Sequence, residues 1–303
     1  MTAVTTLARH CRAFGLVWVV ILLLGWRALF DTIVLALSND EYTQILLVLP
    51  FSAALIYLQW KSVRGRIAWS YSAGGILVLS SLLIACASAF AAVALTPDEV
   101  LSLRMLALVL SWIGAFVLCF GNRASRMVLF PLGFLLALIP LPQASLNFMV
   151  ASLQHGSAWA AHQMFLAVGV PVAQDGVVLT IPGLSLTVAQ ECSSIRSSSM
   201  LLITTLAVAQ LLLRSPWRKL LLVALAIPIS VAKNGLRIFT VAMLTTRVDP
   251  GYLAGRLHRK GGVLFFMIAL FGMFVILWVL RRGEGTGLPS AMAPEKQPLP
   301  SSD

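Results

Sequence analysis

The chain is poor in charge. Asp, Glu, Lys and Arg make up only 11% of its 303 residues, less than half of the roughly 25% found in an ordinary soluble domain. So little charge excludes a soluble globular fold, a charged coiled coil and a disordered chain. Cysteine is scarce too, at four residues. A small disulfide scaffold is thereby excluded, and no CxxC or Cys/His spacing suggests zinc. Acidic residues are half as common as basic ones, 11 against 22, for a net charge of +11. In a soluble protein that excess would suggest nucleic acid. Here the basic residues flank apolar runs and set topology, so no nucleic-acid partner is expected. Hydrophobic residues are abundant, at 59%, with a mean hydropathy of +0.92. Several runs approach or exceed the roughly 20 residues that cross a bilayer.

Eight spans are expected, at 14–37, 45–60, 73–95, 104–121, 127–141, 195–213, 219–243 and 262–280. The second and fifth are short and call for tilt, thinning or neighbours. The first, interrupted by Arg27 and Asp31, reads as a retained anchor rather than a signal peptide. Those two residues, at i and i+4, are expected to pair. With the N-terminus cytoplasmic, 13 of the 22 basic residues fall on the cytoplasmic side, among them Arg64, Arg123, Arg214, Arg281 and Arg282. The acidic pairs Asp40-Glu41 and Asp98-Glu99 fall outside, as the positive-inside rule requires. A basic cluster in the last outer loop, Arg247, Arg256, Arg259 and Lys260, is the exception. The longest outer segment, 142–194, opens on a stretch at 143–167 that reads as an amphipathic helix in the membrane interface. Two short strands follow, at 177–181 and 184–188 around Pro182-Gly183. The expected organisation is a cytoplasmic N-terminus at 1–13, a membrane domain at 14–281 and a cytoplasmic tail at 282–303, disordered by composition. The fold class is therefore an all-α integral membrane protein of about eight transmembrane helices, with an outer-face helix and a short β-hairpin.

Chemistry concentrates in three places. The segment Glu191-Cys192-Ser193-Ser194-Ile195-Arg196 is polar and leads straight into the sixth span. Ser193 or Ser194 is suited to capping that helix. Cys192 then sits at a helix N-terminus, where the dipole and open N–H groups favour the nucleophilic thiolate. The competing reading is a small residue before a Ser-rich cap. The seventh span carries Lys233, Asn234 and Arg237 in its outer third. Ionisable groups at that depth are expensive and point to function. Asn234 and Arg237, three apart, share a face; a permanently charged Arg237 suits a thiolate or an oxyanion. Lys233 reads more simply as snorkelling to headgroups. His258, just before the last span, shares the outer face with Cys192 and Arg237, where an imidazole can take and return a proton. His155 and His162 read as solvated interfacial residues, and His10 as preceding the first span.

A cysteine at the outer start of one span, an arginine in the outer end of the next and a histidine at the outer start of the last resemble the exosortase/archaeosortase family. Cys192-Ser193-Ser194-Ile195-Arg196 resembles its Cys-Ser-Gly/Ser box. Asn234-Gly235-Leu236-Arg237 resembles its Asn-x-x-Arg box, and His258 before Gly261-Gly262 its final histidine box. Leu138-Ile139-Pro140-Leu141-Pro142 and Gly169-Val170-Pro171 also fit. Two positions depart: Tyr42-Thr43-Gln44 stands where the family often has Tyr-Ser-His, and Ser194 stands where it often has Gly. The resemblance implies a membrane cysteine transpeptidase or protease without a cofactor. Its partners are the lipid bilayer and exported proteins that end in a sorting signal: a short motif such as Pro-Glu-Pro, a transmembrane helix and a basic cluster. It further implies Cys192 as nucleophile through a thioacyl intermediate, Arg237 and His258 as the other catalytic residues, and Asn234 in support. The inner membrane is the implied location, with the site on the outer face. Rival readings are a transporter, a non-catalytic subunit of an envelope or polysaccharide export assembly, and a membrane acyltransferase. Against transport, no pair of interrupted spans occupies matched halves.

Overall fold

A computed structural model describes residues 2–188, 195–249, 251 and 262–284. Seven of its helices are long and apolar enough to cross a membrane, or eight with one bent pair taken as a single span. The chain is thus an all-α, multi-span membrane protein. It divides into two units, residues 1–148 and 149–303.

In the first unit, α1 (Thr2–Ser38), α3 (Tyr71–Ala91) and α4 (Pro97–Met127) pack side by side, while α2 (Ile45–Arg64) covers a broken segment. The sequence predicts α1 to start near residue 14, but the helix begins twelve residues earlier. His10 therefore lies within it, buried. Its ring stacks on Trp69 at 4.3 Å and its Nδ1 meets the Cys119 carbonyl oxygen at 2.6 Å. Helix α4 starts on Pro97, behind a capping box in which Thr96 and Glu99 satisfy each other's backbone N–H groups. It kinks at Gly121, whose φ of 85° admits glycine readily; a Cβ there would also strike the Ala68 carbonyl oxygen. Gly74 and Gly114 let α3 and α4 approach closely, against Leu118 and Val78 respectively.

The expected fifth span, 127–141, is not one continuous helix. Helix α5 (Leu129–Phe134) passes into a 3₁₀ turn (Leu135–Leu138), and the chain then bends by 98° into α6 (Gln143–Ala167). Pro140 and Pro142 explain the break: neither donates an N–H, and each keeps its predecessor out of the helical region. A break frees carbonyl groups, which are costly near lipid unless paired. Three hydroxyls meet them. Ser52 donates to the Pro131 oxygen at 2.7 Å, Ser102 to Pro140 at 2.7 Å and Tyr42 to Leu141 at 2.9 Å. Burial, then the nearby Asp98 and Glu41 carboxylates, hold the Tyr42 phenol above its ordinary value, which keeps it a donor. The expected Arg27–Asp31 pair does not form: among the described residues these two make no ion pair, and both are exposed.

In the second unit α6 runs to Ala167, the expected extent. It is a packed helix rather than one lying free in the interface: Ala158, Ala161 and Phe165 enter a core with Leu179, Ile181 and Val188. Only its other face, with Trp159, is open; His155 there bonds back to the Ala151 carbonyl oxygen. Gly169 ends the helix with φ 74°, the left-handed value a C-terminal cap favours. The expected hairpin is present as β2 (Val178–Ile181) and β3 (Leu184–Thr187), turned at Pro182-Gly183 with φ 82° at the glycine. A third strand, β1 (Ala173–Asp175), pairs antiparallel with β2. Helices α7 (Ile195–Leu212), α8 (Pro216–Arg247) and α9 (Gly262–Arg282) complete the unit.

The α7–α8 turn is clamped to the end of α9. The Glu284 carboxylate accepts from the Arg214 and Ser215 amides at 2.9 and 2.8 Å, and Arg218 donates to the Leu280 and Gly283 carbonyl oxygens. Burial opposes the charge, but the two amides and the Arg218 and Arg214 guanidinium groups prevail and hold this carboxyl below its ordinary 4.5. Its contribution is therefore complete above that value and lost as pH falls through the lowered one. Glu284→Gln is expected to reduce stability by about 1–3 kcal/mol at neutral pH. Thermal unfolding in detergent checks this: the gap between variant and wild type should close on acidification below the ordinary carboxylate value.

Candidate functional site

Helix α8 carries one polar stripe in an otherwise apolar run. Ser230, Lys233, Asn234 and Arg237 recur at i, i+3, i+4 and i+7, which is a single face. The first three are buried, Lys233 to 6% exposure, and Arg237 is half-buried. The stripe meets the first turn of α7. Ser230 Oγ donates to Ser198 Oγ at 2.6 Å, and Lys233 Nζ donates to Ser197 Oγ. Lys233 therefore does not snorkel, as its position in the sequence suggested. Its amine stays inside because a hydroxyl awaits it there, which offsets part of the cost of burial. Ser197, Ser198 and Ser230 were not singled out from the sequence. The i, i+3, i+4, i+7 recurrence was a legible signal for the stripe; its partners were not.

The other side of α8 packs on α6 and the sheet. Ile238 and Ala242 enter the core with Phe165, Leu179 and Ile181. Gly235, inside the Asn234-to-Arg237 box, lies against α6 so tightly that a Cβ would stand 2.7 Å from Ala160 Cβ and 3.0 Å from the Ala161 nitrogen. Gly156 faces Val231 one turn earlier, and Phe165 meets Phe239 at 5.0 Å, so α6 and α8 run parallel in contact. The glycine thus lets the polar stripe and the apolar seam share one helix.

Register places three chain ends together. Ser198 pairs with Ser230 and Ser197 with Lys233, so α7 and α8 are antiparallel, and Arg237 stands one turn further towards the start of α7. Helix α9 returns antiparallel to α8. Leu222 and Leu277 line one small cavity; fifteen residues on from Leu222 is Arg237, and fifteen back from Leu277 is Gly262. The starts of α7 and α9 and the Arg237 turn therefore lie at one end of this helical unit.

Cys192, Ser193, Ser194 and His258 lie outside the described residues, as does the tail beyond Glu284. The chain on both sides of Cys192 is anchored. Val188, four residues before it, is buried; its N–H donates to the Val177 oxygen at 2.9 Å, and its carbonyl accepts from Gln154 Nε2 at 3.1 Å. Ile195, three residues after it, is buried at the start of α7. His258 precedes Gly262 by four residues. Of the sequence-predicted residues, the structure describes Asn234 and Arg237, three apart on the stripe. Among the described residues no group of three or more His, Cys, Asp or Glu is arranged to hold a metal.

The model of the transmembrane exosortase family (Exosortase_EpsH) matches residues 36–275. That match covers most of the chain, so the protein belongs to the transmembrane exosortase family. At the level of the family it is a membrane transpeptidase or protease. No curated protein and no solved structure matches the chain.

Proposed function

We propose that the protein is a membrane cysteine transpeptidase or protease that cleaves the C-terminal sorting signals of exported proteins, with Cys192 as nucleophile. The observation that carries this reading is the inward polar stripe of α8, which ends on Arg237 at the end where α7 and α9 begin. An extended chain spans at most about 3.6 Å per residue. Three residues then keep Cys192 within about 11 Å of Ile195, and four keep His258 within about 14 Å of Gly262. Both tethers start from the end of the unit that carries the Arg237 turn.

In this reading the substrate's apolar helix enters the bilayer and brings its short motif, of the Pro-Glu-Pro type, to that end. His258 takes the proton of the Cys192 thiol, and the thiolate attacks the scissile carbonyl carbon. The C–N bond breaks, the departing amine takes a proton from His258, and the acyl group remains on sulfur. Water or an acceptor amine then attacks the thioester and releases the thiol. Arg237 stabilises the negative charge on sulfur before attack and on oxygen during it. Asn234 supports the site, and Ser193 or Ser194 caps α7. The site faces outwards from the inner membrane and both termini are cytoplasmic, in keeping with the basic residues of the other face.

The test is a processing assay. A tagged substrate with such a tail is co-expressed with wild type, Cys192→Ala and Cys192→Ser at equal enzyme abundance. Cleavage by wild type alone is expected. Cleavage surviving in Cys192→Ala would sink the mechanism.

A further inference from the structure

Helices α1, α3 and α4 enclose a groove of about 730 Å³ within the first unit. Its walls are almost wholly apolar, with Leu24, Leu82 and Leu108 among them, and its serines are already bonded: Ser81 and Ser88 to carbonyl oxygens of their own helix, Ser111 to Ser81 and Ala107. Two arginines line it as well, Arg27 from α1 and Arg104 from α4. Trp18 stacks with Trp112, and Gly25 touches Leu108, so α1 and α4 run antiparallel. The same register sets Arg27 level with Arg104. Arg27 is eleven residues from the end of α1, about 17 Å along the axis at 1.5 Å per residue. Arg104 is seven residues from the start of α4, about 11 Å. Neither has a carboxylate within ion-pair distance among the described residues, Asp31 included. The contact of Arg27 with the Trp26 ring, at 5.8 Å, is long for a strong cation–π interaction.

Two like charges at one level of a lipid-facing groove repel each other and are poorly solvated. An anion between them removes both difficulties, and an apolar groove of this size takes hydrocarbon. We propose that the α1/α3/α4 groove binds an anionic phospholipid, with its phosphate held between Arg27 and Arg104 and its acyl chains along the leucine-lined walls. A guanidinium fork suits a phosphate's paired oxygens. A substrate's apolar helix is the weaker occupant, because it brings no negative charge to the level of Arg27 and Arg104.

The experiment measures phospholipid retained by the purified full-length protein after exchange into detergent micelles containing phosphatidylglycerol or, separately, phosphatidylcholine. Wild type should retain phosphatidylglycerol in preference. Losing two charge-assisted contacts in R27Q/R104Q should lower that retention by about tenfold or more. Ala85→Phe keeps both arginines but narrows the groove, and should lower retention as well. A photoreactive residue at position 85 should capture phosphatidylglycerol. Should the double variant not purify folded, Ala85→Phe and the capture experiment decide. Unchanged retention in the variants, equal retention of both lipids by wild type, or capture of a sorting-signal helix instead of lipid would each overturn the proposal.

Discussion

Replacing Arg237 with lysine should slow processing about a hundredfold, the scale on which a lost oxyanion donor acts. The charge is kept in this variant; the fork is not. Lysine offers a compact ammonium on a flexible stem, whereas arginine holds several N–H donors in one plane. Arg237 is half-buried at the end of a stripe whose other members are buried. Enzyme abundance should be unchanged, because Lys233–Ser197 and Ser230–Ser198 still fasten α7 to α8. The check is the initial rate of tail cleavage at matched expression, with Arg237→Gln beside Arg237→Lys. Near-wild-type rates in Arg237→Lys would mean that positive charge alone suffices at this position.

Gly235→Leu should have an effect of similar size for a different reason. The first added carbon already falls 2.7–3.1 Å from Ala160 and Ala161, where two of the three nearest atoms are backbone. A helix backbone does not yield as a side-chain tip does. Overpacking of this kind costs about 1–3 kcal/mol. Here the strain separates α6 from α8 and shifts the sheet that shares their core, and with it Val188. The chain that leads to Cys192 starts from that residue. The expected outcome is processing lowered at least tenfold, with a lower thermal midpoint in detergent. Ala160→Gly in the same chain should recover part of both, since it removes the nearest atom met by the new side chain. Failure of Ala160→Gly to recover either would show that the α6–α8 seam is not where the strain lies.

Most of the helices were legible because hydropathy over twenty residues is a strong signal. What hydropathy does not carry is rotation and company. Lys233 sits where a lysine often reaches for headgroups, and only the partner helix reveals the hydroxyl that draws it inward. Arg27 and Asp31 have the spacing of a pair, yet helical spacing only brings two side chains within reach. Arg27 instead lines a groove that α1 shares with α3 and α4. The stretch 143–167 read as interfacial because it looked amphipathic, with Leu146, Met149, Val150, Leu153, Trp159 and Phe165 as its apolar residues; that one face meets a sheet and α8 follows from long-range packing. Strand β1 is too short and polar to announce itself, and exists because β2 offers it a ladder. The break after α5 was half visible. Pro140 and Pro142 mark the end of a run, but the hydroxyls of Tyr42, Ser52 and Ser102 that make the break tolerable come from distant segments.

The site was legible as a set of residue types at one membrane face, and Asn234 and Arg237 do share a helix face. Gly235 lay within the same box. Its close approach to α6 gives the box a second physical purpose, beside the chemistry proposed for its polar members.

The most direct measurement of the central claim is the search for an acyl group on Cys192. Wild-type protein is mixed in membranes with a substrate whose second step is slowed by low temperature, quenched in acid and digested for mass spectrometry. The account predicts the substrate's N-terminal fragment joined to the Cys192 peptide through a bond that hydroxylamine cleaves, and no such adduct in Cys192→Ala. Continued cleavage by Cys192→Ala, or an adduct on any other residue, would contradict it.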